Sequence, residues 1–157
     1  MSEFGDEPIS PYLPWRPPGC DVEIGPDRLL NEVFTAAERG EFERLKQLAA
    51  GGADLHARIE GGATLFMTAV YYGQKEVAAW LLAEGHDIDA CDDLGRTALY
   101  DAVNYGASEM VDWLLTRGAD SRAKTQNGRT PLDLAREKGD QGILRLVEQQ
   151  RQARKKE

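Results

Sequence analysis

The sequence predicts an all-α protein, a solenoid of stacked helix pairs joined by short loops. A 33-residue period runs through the chain and is clearest where GRTALYDAVNYGASEMVDWLLTRGAD (95–120) follows GATLFMTAVYYGQKEVAAWLLAEGHD (62–87). Within each period, apolar residues recur at helical spacing, and glycines end the helical runs. A fixed period of this size is the signature of repeats that stack on one another.

The period divides the chain into an arm and four units. Several residue types return every 33 positions, among them Gly62, Gly95 and Gly128, Thr64, Thr97 and Thr130, and Ala36, Ala69, Ala102 and Ala135. We expect repeats at about 27–58, 59–91, 92–124 and 125–157. A chain of 157 residues fits one domain, here residues 27–157, preceded by a proline-rich acidic arm at residues 1–26.

Each unit predicts two helices with identifiable ends. In the first unit, LLNEVFTAAERG and EFERLKQLAAGG carry apolar stripes, and Gly40 and Gly52 can end the two helices. Thr64 and Thr97 are predicted N-caps, and Pro131 stands at the first helical position, where proline is tolerated. The glycine-containing segments between units predict turns or short β-hairpins. The last helix drifts polar, as expected of a terminal repeat whose outer face meets water.

The arm differs from the rest of the chain in composition. It holds six of the seven prolines and five acidic residues against the single basic residue Arg16. Proline fixes φ and lacks an N–H, so we expect an extended, irregular segment. One interpretation is that PYLPWRPPG (11–19) covers the apolar end of the first repeat. The alternatives are a contribution to a binding surface and a proline-rich ligand for an aromatic groove.

Composition excludes several functional classes. The net charge of −8 disfavours a nucleic-acid binder, and no apolar run is long enough to span a membrane. The first residues lack a basic and an apolar region, so we expect a cytoplasmic protein. Cys20 and Cys91 are expected to be free thiols, because a disulfide scaffold or a zinc site needs more clustered ligands. Neither a metal nor a cofactor is predicted.

The repeated residues resemble the ankyrin-repeat family. The matching segments are GATLFMTAV…WLLAEGHD, GRTALYDAV…WLLTRGAD and GRTPLDLAR, with TAAERG…GGAD in the first unit. The resemblance covers residues 27–150. It implies an L-shaped solenoid of antiparallel helix pairs with short β-hairpin loops projecting from one side. It also implies that an inner surface, made of hairpin tips and first-helix ends, binds another protein.

The chain departs from the family pattern in its T-P-L-H motif. Its proline survives only as Pro131, and its histidine is replaced throughout, by Phe34, Met67, Tyr100 and Asp133. In the family, that histidine forms hydrogen bonds between repeats. We therefore expect apolar packing to replace the histidine contact.

No catalytic motif is present. His56 and His86 lie in loops of adjacent repeats, at positions that are not equivalent, and a structural or surface role is expected for both. The sequence contains no H-E-x-x-H, G-x-S-x-G or phosphate-binding loop. The prediction is a protein that is not an enzyme.

The resemblance places variable, exposed residues at two sets of positions. The first-helix ends give Glu38, Arg39, Tyr71, Tyr72, Asn104, Tyr105, Glu137 and Lys138, and the tips give Arg58, Glu60, Ala63, Asp93, Leu94, Arg96, Lys124, Gln126, Asn127 and Arg129. Tyrosine is a common interface anchor, so Tyr71, Tyr72 and Tyr105 are the leading candidates. The alternative is that one tyrosine of each pair packs between repeats.

The leading hypothesis is a binding module that captures a partner protein and is a monomer when free, with an inhibitor or immunity-type role as one possibility. Trp80 and Trp113, 33 residues apart in the second helices, are expected to form the outer part of the core. If they instead form an exposed patch on the convex face, the alternative is a structural protein that self-associates through that face or through the arm.

Overall fold

A computed structural model describes residues 27–156, and the expectations for the arm at residues 1–26 lie outside the described residues. The described part contains eight α-helices: α1 Asp27–Arg39, α2 Phe42–Ala50, α3 Leu65–Tyr71, α4 Lys75–Ala83, α5 Ala98–Asn104, α6 Ser108–Thr116, α7 Pro131–Lys138 and α8 Gln141–Lys155. β-structure between residues 27 and 156 is limited to one isolated antiparallel bridge, from Cys91 to Thr97. The predicted all-α solenoid is confirmed.

The helices pack in two ways, within a repeat and between repeats. Each first helix packs on the second helix of its own repeat, and the first helices α1, α3, α5 and α7 pack on one another in series. Their contact surfaces carry the alanine register, whose four members are at most 5% exposed: Ala36, Ala69, Ala102 and Ala135. A methyl side chain lets neighbouring helices approach closely, so this register sets the spacing of the stack.

Threonine side chains begin the first helices of the last three repeats. The hydroxyls of Thr64, Thr97 and Thr130 each accept the backbone N–H three residues later, at 3.2 Å. Such N-caps each stabilise a helix by about 1 kcal/mol. Both N-caps predicted from the sequence are confirmed.

The last of these caps is a reciprocal pair, because the Asp133 carboxylate accepts both the backbone N–H and the hydroxyl of Thr130. The expectation that apolar packing replaces the family histidine therefore fails at Asp133, which is exposed and binds the cap. It holds at Phe34 and Met67, which are buried.

The tryptophans of the second helices lie at the edge of the core. Trp80 packs edge-to-face against Phe42 at 5.7 Å, and the Arg117 guanidinium lies 4.3 Å from the Trp113 ring centre. Both tryptophans are half-buried and contact core residues. The prediction that they form the outer core is confirmed.

The loops between repeats form a regular series of tight turns. The backbone N–H groups of Ile59, Asp92 and Thr125 donate to the carbonyls four residues later, at 2.9–3.1 Å. Successive tips are also joined, because the Asp93 N–H donates to the Gly61 carbonyl and the Gln126 N–H to the Leu94 carbonyl, both at 2.9 Å. The tips therefore form a hydrogen-bonded row along one edge of the stack.

One predicted tip residue is not part of the surface. Ala63 is fully buried and belongs to the hydrophobic core. Its carbonyl closes the turn with Ile59, and its methyl group faces inward just before α3 begins. The expectation that Ala63 is exposed is wrong.

The last helix is longer than the other second helices and binds back to the third repeat. The Gln150 side chain donates to the carbonyls of Leu115 and Ala119, at 3.2 and 2.9 Å. The Arg154 guanidinium donates to the Gly118 carbonyl at 2.6 Å. The polar residues predicted to be a solvated cap thus also satisfy carbonyls at the end of α6. No helix within residues 27–156 has the length and apolar character needed to cross a bilayer.

The row of tips predicts a difference between two glycines of the same register. Gly95 and Gly128 both have a φ of +75°, but a methyl group at Gly95 would lie 2.8 Å from the Gln126 backbone nitrogen, whereas nothing lies within 4 Å at Gly128. We expect Gly128→Ala to lower the free energy of unfolding by about 1 kcal/mol, through backbone strain alone. Gly95→Ala should cost at least about 2 kcal/mol, because it also separates two tips.

Urea unfolding of both variants measures this difference. Equal losses at Gly95 and Gly128 would show that contact between the tips adds nothing to stability.

Candidate partner-binding surface

Three tyrosines meet at the ends of the central first helices. Tyr71 is the last residue of α3, and Tyr72 and Tyr105 occupy the C-cap positions of α3 and α5. The Tyr71 ring packs edge-to-face against Tyr72 at 5.0 Å and against Tyr105 of the next repeat at 4.7 Å. We call these three residues the tyrosine cluster.

The three rings differ in exposure. Tyr105 is 49% exposed, and Tyr71 and Tyr72 are half-buried. Tyr71 lies between the other two rings, so it is the tyrosine that joins two repeats. The sequence left open which tyrosine packs between repeats, and the structure assigns that contact to Tyr71.

The cluster changes the acidity of one phenol. Partial burial, followed by a hydrogen bond with Tyr71 and the nearby Asp101 carboxylate, raises the pKa of Tyr105 to about 12. The phenol is therefore neutral at physiological pH. It offers a partner an apolar ring with a polar end.

Charged residues extend the cluster toward both ends of the stack. The positions equivalent to Tyr72 and Tyr105 hold Arg39 in the first repeat and Lys138 in the last. Both are exposed, and Arg39 lies 3.7 Å from the Glu41 carboxylate. Asn104, beside Tyr105, is half-buried. A row of four equivalent positions thus has two tyrosines between two cations.

The second tip has a rigid polar base. The Asp92 side chain is fully buried and accepts the backbone N–H groups of Leu94 and Arg96, both at 2.9 Å. It also forms an ion pair with the Arg96 guanidinium, at 2.8 Å. Leu94 is held outward by this turn and is 53% exposed, more than the other large hydrophobic residues between 27 and 156. Asp92 therefore fixes the position of an apolar contact residue.

The other predicted tip residues lie along the same row. Glu60, Asp93, Gln126 and Asn127 are exposed, and Arg129 is half-buried. The Gln126 side chain donates to the Asp93 carbonyl, and Arg129 forms an ion pair with Glu137. The Arg58 guanidinium donates to the Cys91 carbonyl at 2.6 Å, one repeat further along the row. Several tip side chains therefore join neighbouring repeats and are not free to adapt.

Sequence reasoning missed two features. The first is buried Asp92, whose signal is the first aspartate of the loop sequence Asp-Asp-Leu-Gly at 92–95. The second is a contact between His56 and His86, whose rings stack with centres 4.4 Å apart. Their separation of 30 residues is close to the period of 33, and this signal could have placed them together.

The tyrosine cluster predicts that the Tyr105 phenol ionises at a higher pH than an ordinary tyrosine. We expect the Tyr105 phenol to ionise near pH 12, and Tyr71→Phe to move its pKa part of the way back toward 10, since burial remains. Because the folded state favours the neutral phenol, the contribution of this group to stability is lost as pH rises from 10 to 12.

Alkaline titration of tyrosinate absorbance measures the pKa, with Tyr105→Phe to assign the phenol. Tyr72→Phe is the matched control and should leave the late titration in place. Equal shifts in the Tyr71 and Tyr72 variants would contradict the hydrogen-bonded arrangement.

Comparison with known protein families supports the repeat architecture. A family model described as ankyrin repeats (3 copies) matches residues 33–125 and again residues 66–156. No curated protein gives a significant match. Members of this family are generally protein–protein interaction modules and typically non-catalytic. Because the matched segments together cover most of the chain, this protein belongs to the ankyrin-repeat family.

Proposed function

We propose that this chain is a non-catalytic binding module that captures a partner protein on its inner face. We define the inner face as the tyrosine cluster, the ends of the first helices and the row of tips. The observation that carries the proposal is the packing of Tyr71, Tyr72 and Tyr105 across two central repeats, with Tyr105 half exposed.

The cluster has the properties of an interface anchor. Tyrosine offers a large contact area at a low cost in conformational entropy. The rings already pack on one another, so little side-chain freedom is left to lose when a partner binds. Leu94 adds a second apolar contact at a fixed position on the adjacent tip.

The charges around the cluster suggest how a partner segment is oriented. Glu60 and Asp93 are exposed at the first two tips, whereas Lys124 and Lys138 are exposed in the last two repeats. We propose that basic side chains of the segment lie near Glu60 and Asp93 and acidic ones near Lys124 and Lys138, with Arg39 and Arg58 adding exposed cations at the first repeat. Charge complementarity of this kind sets orientation and association rate more than affinity.

The proposal extends to the role of the chain and to its organisation. An inhibitor or immunity-type role in the cytoplasm is part of the proposal, supported by the net charge of −8. We propose that residues 27–157 form one domain of four repeats, a monomer when free.

A second candidate function is self-association through the second helices. A cleft of about 380 Å³ is lined there by Lys75, Glu109, Asp112, Trp113, Thr116 and Arg117. We call it the outer cleft. It combines an aromatic ring with two cations and two anions, so it is suited to a polar contact. Sedimentation at several concentrations distinguishes the two functions, because a strict monomer excludes self-association.

The inner-face proposal predicts selective loss of partner capture. We expect Tyr72→Ala and Tyr105→Ala each to weaken binding by about thirtyfold, the effect of removing an interface hot spot worth about 2 kcal/mol. Quantitative affinity capture from the native host, followed by binding measurements with the purified partner, tests this.

Arg117→Ala in the outer cleft is the matched control and should bind normally. Helical circular dichroism and thermal melting of every variant establish that folding is retained. Normal capture by both tyrosine variants, together with loss in the Arg117 variant, would place the partner on the outer cleft instead.

A further inference from the structure

The histidines of the chain, His56 and His86, form a pair at the junction of the first two repeats. His56 lies in the loop after α2, and His86 in the loop after α4. Their rings are nearly parallel, with an angle of 19° between the planes and centres 4.4 Å apart. A cavity of about 190 Å³ adjoins the pair and is lined also by Arg58, Thr64 and Asp87. Neither ring belongs to the inner face.

The next junction shows what the pair replaces. The register of His56 holds Asp89 one repeat later, and the register of His86 holds Ala119. There, the Asp89 carboxylate accepts the Asp120 N–H across the junction, at 2.7 Å. The first junction therefore has a stack of two imidazoles in the place of a carboxylate–amide hydrogen bond.

The same side-chain hydrogen bond forms in the loop on each side of both junctions. Asp54, Asp87 and Asp120 each accept the N–H of the residue two positions later, all at 2.9 Å. His56 and His86 are the residues of the first junction that replace Asp89 and Ala119 of the second. This makes the second junction an internal reference for the first.

The surroundings of His86 favour a neutral ring. The Nε2 atom of His86 is buried and has no hydrogen-bond partner within residues 27–156. Burial, and then the neighbouring His56, lower the pKa of His86 to about 4, and the Asp54 carboxylate opposes this only in part. The other charged groups at the cavity are Arg58 and Asp87, one of each sign.

We propose that the His56–His86 pair is an acid-sensitive joint, closed while His86 is neutral and opened by its protonation, so that acid loosens the contact between the first two repeats. The species that we expect to act on this pair is a proton. A metal ion needs more ligands, and no three His, Cys, Asp or Glu side chains converge on a metal position in the part of the chain that the structure describes.

The direction of the pH effect follows from the two states of His86. In the unfolded chain its pKa is near 6.5, and in the folded chain it is about 4. Between these values the unfolded state binds a proton that the folded state does not, so stability is lost as pH falls from 6.5 to 4. Above pH 7 the joint adds no pH dependence to the free energy of unfolding.

Unfolding of the full chain at pH 7.5 and pH 5.0 tests the joint. We expect the unfolding equilibrium constant of the wild type to rise by roughly tenfold more than that of His86→Ala, the full linkage being reduced because His86 is partly exposed. Alanine is the residue that Ala53 and Ala119 supply at this register. Asp89 and Asp133, whose pKa values are also shifted, are present in both proteins and cancel in the comparison.

The double variant His56→Asp/His86→Ala guards against a variant that fails to fold, because it has at both positions the residues found at the second junction. It should fold and also lack the excess acid sensitivity. In the wild type, NMR titration should give His86 a pKa below 5, with the amides of residues 53–59 and 85–90 changing together and those of residues 119–123 unaffected. Parallel acid loss in the wild type and both variants, or a His86 pKa near 6.5, would overturn the proposal.

Discussion

Contact between neighbouring repeats is the constraint on which the rest of the structure depends. A single helix pair cannot bury its apolar face, so each repeat is stable only against the next. The alanine register permits this contact, because small methyl side chains leave room for successive first helices to pack closely. Its members are the buried residues Ala36, Ala69, Ala102 and Ala135. The same spacing brings the tips close enough for backbone hydrogen bonds from Asp93 and Gln126 to the preceding tips. It also places Tyr71 against Tyr105, so the core packing determines the geometry of the proposed binding surface.

The regular pattern of the repeats changes at the C-terminal end and at the first junction. At the C-terminus, α8 extends beyond the length of α4 and α6, and its polar side chains bind carbonyls of the third repeat. This satisfies backbone acceptors at the end of α6. At the first junction, the His56–His86 stack replaces the hydrogen bond that Asp89 makes at the second. The second and third repeats carry the exposed aromatic surface, so the proposed binding surface and the proposed joint use different side chains.

Features that repeat or that depend on nearby residues could be predicted from the sequence. The helix pairs follow from the period, the threonine caps from residues three positions apart, and the turns from glycines such as Gly95. Features that depend on which side chains meet across repeats could not be predicted. The burial of Ala63, the exposure of Tyr105 relative to Tyr71 and the histidine stack all depend on a neighbour about one period away. The cap made by Asp133 was missed because the family pattern suggested a contact between repeats, whereas the carboxylate bonds within its own turn.

Site-specific photo-cross-linking in the native host directly tests whether the inner face binds the partner. A photoreactive residue is placed at exposed Tyr105 on the inner face in one protein and at exposed Arg117 in the outer cleft in another. If the partner binds the inner face, position 105 should give one discrete adduct with a different protein, and position 117 should give none. An adduct from position 117 alone, or an adduct with the mass of two copies of this chain, would contradict it.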